Sequence, residues 1–300
     1  MKSFDLNALS GKDAHQHLLS AVGPRPIAFA STIDEDGQAN LSPFSYFGVF
    51  SSNPPILAFS PARRVRNNTT KDTLHNAQST GEVVINVVNY DIVQQMSLSS
   101  TEYATGVNEF HKAGLTPIPS DIVKPFRVEE SPVQFECKVN DIISLGENGG
   151  AGNMIICEVV RMHVDESVLN ENGITDSTKL DLVARMGGNW YCRANQDAMF
   201  EVEKPLATLG IGVDQIPERI RKSVLLSGND LGKLGNVERL PNDTEIAHHA
   251  NEERIKNIFE SSDNGMEARE LLHEFAKELL EENKVNEAWK VLLCDKLNRI

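Results

Sequence analysis

Apolar and small or polar residues alternate from Ile27 onward. Ile27, Phe29, Ser31 and Ile33 fall on one face of a predicted strand, and Ala28, Ala30 and Thr32 on the other. Residues 34–37 (Asp-Glu-Asp-Gly) then supply an Asp-Gly pair suited to a tight hairpin with positive φ. The alternation resumes over 38–41 and is expected to stop at Pro43, because proline cannot donate to a ladder. A third strand is expected over 55–61, entered through Pro54 and Pro55, and a buried strand over the β-branched run 82–88. Between them Thr70 is placed to cap a helix, with Asp72 in the first turn where the helix dipole favours it. Short helices are expected over 90–100 and 107–115, the second stopped by Gly114. Strands over 133–139 and 153–164 flank the loop 146–152. Strands joined by hairpin turns without regular βαβ alternation predict a mainly β domain, an antiparallel barrel with helical insertions.

After about residue 200 the spacing becomes helical. The segments 216–228, 252–262 and 267–293 fit it, and in the last Leu271, Leu272, Phe275, Leu279, Trp289 and Leu292 supply apolar faces. The expected organisation is a β domain over 1–200 and a helical C-terminal extension over 201–300. No period recurs, so the extension is not a repeat array. Its histidines His248, His249 and His273 lack the carboxylate spacing of a metal site, and no metal is expected.

Composition narrows the function classes. The 300 residues are 40% hydrophobic and 24% charged, as in soluble globular proteins. A net charge of −14 argues against nucleic acid as a partner, so any bound anion must be held by a local pocket. Cys137, Cys157, Cys192 and Cys294 are widely separated and read as reduced thiols. The N-terminus has no signal-like apolar core, and no run reaches the roughly 18 apolar residues of a span, so no membrane partner is expected and a cytoplasmic location is.

The candidate chemistry lies at the strand ends. Ser31 and Thr32 end one strand, Asn40 and Ser42 with Pro43 end the next, and Ser60 ends a third. Arg63, Arg64, Arg66 and Lys71 follow at a helix start. Each has a plain reading as a turn residue or a solvated cation. Together, hydroxyl clusters beside a basic helix start suit one bound phosphate carried by a planar heterocycle.

The ordered series VGPRPIAFASTIDEDGQANLSPFSYF, PPILAFSP, KDTLHNAQSTGEVVINVV, NEFHKAGL and ARMGGNWYCR resembles the flavin reductase-like family, from about residue 15 to 195. The resemblance implies an FMN-binding split antiparallel β-barrel of Greek-key type and a homodimer with FMN near the subunit interface. On it, Ser31 and Thr32 touch the flavin. Asn40, Ser42, Pro43, Phe44, Ser45, Tyr46 and Phe47 line the isoalloxazine and ribityl chain, so that NLSPFSYF is shaped for cofactor and not for sheet. Ser60, Arg64, Lys71 and Thr73 hold the phosphate. NAD(P)H is the implied co-substrate. Family reductases that use it commonly carry a Gly-Asp-His-like element where this chain has the histidine-free loop 146–153, with His111 a possible substitute. No G-x-G-x-x-G follows a strand, so no separate dinucleotide domain is expected. Two readings follow: a flavin reductase moving hydride from NAD(P)H to FMN, or a non-catalytic FMN-binding or electron-carrier protein of the flavoredoxin type. No catalytic residue is assigned.

Overall fold

Ser10 caps the first helix, α1 (Gly11–Ala21), by accepting the Asp13 N–H on its hydroxyl at 3.1 Å. The alternating run forms β1 (Ala28–Ile33) and turns at the Asp-Gly pair into β2 (Ala39–Phe44). Gly37 there has φ +82°, a value that L side chains rarely adopt. β3 (Phe47–Ser52), β4 (Pro55–Phe59), α2 (Asp72–Thr80), β5 (Glu82–Asn86), α3 (Val93–Leu98) and α4 (Glu109–Ala113) follow. Then come β6 (Pro117–Ile118), β7 (Arg127–Val128), the long strands β8 (Val133–Ser144) and β9 (Asn153–Val164), and a hairpin of β10 (Leu182–Arg185) and β11 (Tyr191–Ala194). The computed structural model describes residues 1–206 and 209–296.

Seven strands form one sheet in the order β2-β1-β5-β8-β9-β4-β3, with every neighbouring pair antiparallel. The two edge strands, β2 and β3, are separated in the chain by only Ser45 and Tyr46. Three Cα steps span at most about 11 Å, so the sheet must curl until its edges approach each other. Ala28, Ala30, Phe44, Leu57, Phe59, Val83, Ile85, Cys137, Ile155 and Cys157 fill the inside of the curl, and α2 plugs it with Leu74 and Ala77. A second core on the far side of β1 joins Phe29 and Leu41 to Met96 of α3 and Phe110 of α4.

Several expectations are corrected. Pro43 does not end its strand: it pairs in register with Phe29, and β2 continues to Phe44. β2 is an edge strand, where a missing N–H leaves no ladder bond unmade. The NLSPFSYF stretch belongs to the sheet after all, as the end of β2 and the start of β3. Lys71, not Thr70, occupies the cap position of α2, without a side-chain cap bond; the Thr70 hydroxyl pairs instead with His75 Nε2 at 2.6 Å. β5 ends at Asn86, and β8 runs on to Ser144 with two register shifts against β9, one skipping Val160 of β9 and one skipping Asn140 of β8.

The described chain divides into two compact units, Met1–Phe200 and Glu201 onward. The second unit holds α5 (Glu218–Arg221), α6 (Gly228–Gly235), α7 (Asp243–His249), α8 (Glu253–Ser261), α9 (Gly265–Glu281) and α10 (Val285–Leu293). Its core gathers around the fully buried Trp289, whose Nε1–H donates to Leu234 O at 2.9 Å. The expected helix over 216–228 is only the single turn α5; Ser227 then caps α6 with a capping box to Asp230.

Candidate functional site

Side chains on β1 alternate between the two cores of the first unit. Thr32 follows Ala28 and Ala30 into the curl, whereas Ser31 follows Ile27 and Phe29 to the opposite face. Register carries the division onto β2: Asn40 lies opposite Thr32, Ser42 opposite Ala30 and Phe44 opposite Ala28, but Pro43 lies opposite Phe29. Ser31 and Thr32 therefore do not offer their hydroxyls to the same surface.

A buried polar network fixes the end of this face. Asn40 Oδ1 accepts from Thr73 Oγ1 at 2.7 Å and from Thr32 Oγ1 at 3.4 Å, while Asn76 Nδ2 donates to Thr32 Oγ1 at 3.1 Å. On its other side Asn40 Nδ2 donates to Glu109 Oε1 at 3.2 Å, and the Leu41 N–H donates to Glu109 Oε2 at 3.0 Å. The structure thus joins three expected site residues, Thr32, Asn40 and Thr73. It adds Asn76 and Glu109, which the sequence reading missed. Burial pushes the Glu109 carboxyl up, and nearby Asp72 adds to this against the bonds from Leu41 and Asn40. The available signal was Asn108, which caps α4 and so sets Glu109 in its first turn.

Two cations stand at the start of α2. Lys71 Nζ lies 5.1 Å from the centroid of the Phe44 ring. Burial lowers its pKa and so does nearby Arg64, against the opposing fields of Glu102 and Glu109. Lys71 makes no ion pair among the described residues. Arg64 Nη1 donates to Thr69 Oγ1 at 3.0 Å and to Thr70 O at 2.6 Å, and its Nε lies 3.6 Å from Glu102 Oε1.

The loop 146–152 grips the segment that carries Arg64. The Arg63 N–H donates to Ala151 O at 2.8 Å, and the Gly150 N–H returns to Arg63 O at 2.9 Å. A Cβ at Gly149 would stand 3.0 Å from Val65 O and 3.1 Å from Arg64 O, and one at Gly152 would stand 2.5 Å from Ser60 Oγ. Gly149 is required by this close approach of two backbones, and at Gly152 a Cβ would collide with the Ser60 side chain. Ser60 Oγ is buried beneath Gly152 without a hydrogen-bond partner, as is Ser31 Oγ on its own face.

The remaining expected residues lie around the junction of the sheet edges. Ser45 and Tyr46 connect β2 to β3, and Phe47 packs into the curl. The Tyr46 hydroxyl lies 3.5 Å from His15 Nδ1 of α1, and burial raises its pKa against the field of Arg25. His111 is exposed on α4.

Two other features lie apart from these residues. Asp121, Glu136 and His163 bring possible metal-ligand atoms together, but Glu136 already accepts the N–H groups of Asp121, Ile122 and Val123 and pairs with His163 Nε2 at 2.6 Å. Asp121 in turn accepts from Arg161 Nη1 at 2.9 Å. This is a structural anchor for the 121–123 turn. A cavity of about 200 Å³, lined by Tyr90, Val93, Val183, Tyr191 and Arg193 among others, includes none of the expected residues.

Residues 21–180 fit the flavin reductase like domain. The chain belongs to that family. Its chemistry is therefore flavin chemistry. An uncharacterized protein of Aquifex aeolicus is 35% identical over 199 residues, covering 66% of this chain and 99% of the relative. Among solved structures, nitrilotriacetate monooxygenase component B from Bacillus cereus is 30% identical with a TM-score of 0.63, over 67% of this chain and 98% of that one. The 2-nitrobenzoate 2-nitroreductase NbaA of Pseudomonas fluorescens is 25% identical with a TM-score of 0.61, over 70% of this chain and 100% of that one. Among the described residues no helix is long and apolar enough to cross a membrane.

Proposed function

We propose that this flavin reductase family member binds FMN and moves hydride from NAD(P)H to it, the reduced flavin serving a separate acceptor or partner oxygenase. The observation that carries the reading is the Arg64 and Lys71 pair. Two like charges are held together, one of them partly desolvated and without an ion pair among the described residues. Their mutual repulsion, which the exposed Glu102 carboxylate offsets only in part, would be relieved further by a bound phosphate. The group fits the residues present. Arg64, Lys71 and Thr73 would hold the phosphate, and the partnerless hydroxyl of Ser60 lies next to the same loop. Ser42, Phe44, Ser45, Tyr46 and Phe47 would line the ring and ribityl chain, with Thr32, Asn40 and Glu109 bracing β2 behind them. Pro43 and Ser31 face the second core, so their contribution would be through the backbone.

Bound FMN would supply the hydride-accepting ring, while the protein docks and orients it. Likeness to an oxygenase component and to a nitroreductase supports transfer onward from the flavin to a second molecule. A homodimer is proposed as well, supported by Val49 and Phe50, which are 76% and 68% exposed on the edge strand β3. A cytoplasmic location fits this chemistry. Residues 1–200 would carry the flavin site, and residues 201–300 would have a structural role.

A second reading, an FMN-binding electron carrier without nicotinamide chemistry, is favoured by one observation. The loop 146–152 holds no histidine and grips the Arg64 segment with its backbone. NAD(P)H oxidation measured with and without added FMN separates the two. Turnover supports the reductase, and FMN binding without turnover supports the carrier.

A further inference from the structure

Residues 99–108 link α3 to α4 and pass beside the basic loop. Glu102 Oε1 stands 3.6 Å from Arg64 Nε, and Glu102 Oε2 stands 3.4 Å from Arg66 Nη2. Three residues on, the Thr105 hydroxyl lies 3.4 Å from both Asp72 oxygens at the start of α2. These contacts are long for charge-assisted bonds, which favour roughly 2.7–2.9 Å. The Glu102 side chain is also 55% exposed. Its ion pairs are therefore weak and readily exchanged.

Glu102 does not hold Arg64 in place. The guanidinium is fixed by Thr69 Oγ1 and Thr70 O, and its backbone by the 64–69 turn, where the Arg64 N–H meets Thr69 O at 2.8 Å. What Glu102 contributes is charge. Its negative field reaches both Arg64 and Lys71, the two cations assigned above to phosphate.

We infer that Glu102 is an internal competitor for the phosphate, a specificity residue that sets how strongly the site prefers a phosphorylated flavin to an unphosphorylated one. The inference rests on the proposed FMN reading. An incoming dianion must either displace the carboxylate from Arg64 and Arg66 or bind beside it against its repulsion. Both routes subtract from the affinity for FMN. Riboflavin carries no phosphate, so neither route affects it.

The test titrates flavin-free, full-length protein with FMN and with riboflavin, comparing wild type with Glu102→Gln. In the variant the Kd for FMN should fall by about two- to fivefold, the size expected for one exposed ion pair. The Kd for riboflavin should not change, and the FMN difference should shrink as salt screens it. Inorganic phosphate on its own should bind the variant more tightly than wild type. Glu102→Ala should move FMN affinity in the same direction. An unchanged or raised Kd for FMN, or equal tightening of both flavins, overturns the inference while leaving FMN binding by wild type intact. Failure of wild type to bind FMN overturns the proposed function and this inference together.

Discussion

The Lys71 ammonium stands 5.1 Å from the centre of the Phe44 ring. One residue is the cap position of α2 and the other ends β2, so the contact joins the basic helix start to the strand that carries the predicted flavin contacts. Two stretches of sequence that were expected to share one cofactor meet at this point.

Replacing Lys71 with alanine should weaken FMN by roughly 1.5–3 kcal/mol, a ten- to hundredfold rise in Kd, because a charge-assisted contact to phosphate is lost. Riboflavin should lose far less. Fluorescence titration of both ligands decides the matter, and equal losses would separate Lys71 from the phosphate.

Gly149→Ala should act on the same site from a distance. Its Cβ would meet backbone at 3.0 Å, and backbone cannot swing aside as a flexible side chain can. The expected cost is about 1–3 kcal/mol of stability, together with a lower FMN-to-riboflavin preference as the Arg64 segment shifts. Thermal melts with the two titrations check both parts. A variant with wild-type Tm and wild-type preference would show that the loop does not brace the cations.

Acid should affect the two units in different windows. Burial drives His273 down from 6.5 to about 4, against the field of Asp295. Its folded pKa lies below its unfolded one, so the unfolded chain takes up the proton first. Stability of the second unit is then full above pH 6.5 and falls towards pH 4. In the first unit burial pushes Glu136 up, but its hydrogen bonds outweigh this and hold it at about 2, down from 4.5. That contribution is lost only as pH falls from 4.5 through 2. Trp289 is fully buried in the second unit and Trp190 is 78% exposed in the first, so an emission red shift reports mainly the second unit. The shift should come at the higher pH, and His273→Gln should flatten the dependence between pH 6.5 and 4. A shift confined to below pH 4 would contradict the assignment.

A chain ending at Phe200 should still bind FMN. Its counterpart in Aquifex aeolicus is matched over 99% of its length by 199 residues of this chain. The readouts are FMN Kd and oligomeric state by light scattering. A truncated chain that folds and yet loses flavin would place part of the site in residues 201–300.

Legibility in the sequence followed the physics of each element. The β1 run, the Gly37 turn and the Gly114 stop were readable because period-two alternation and positive φ are local properties. β3 was missed because its residues Val49 and Phe50 are both exposed, so no alternation marks an inner face. Pro43 was misjudged because its tolerance depends on β2 being an edge, a fact of sheet order and not of the strand itself. In the candidate site, Thr32, Asn40 and Thr73 were expected at different parts of the cofactor, and the structure joins their side chains in one network, with Lys71 and Arg64 near each other. Glu102 was not expected, since a lone carboxylate in a loop has no signature until the fold brings it to a partner 38 residues away. Glu109 was not either: the Asn108 cap marked its place in a first helical turn, but nothing local points to its partner 68 residues away.

The most direct measurement is of the cofactor itself. Full-length protein is purified, its visible spectrum recorded, the protein denatured, and the released chromophore identified by chromatography and mass. The account predicts a yellow protein that releases one FMN per chain, with absorption that bleaches under NADH or NADPH when air is excluded. Release of pyridoxal phosphate or haem, or a colourless protein that takes up no FMN at micromolar concentration, would contradict it.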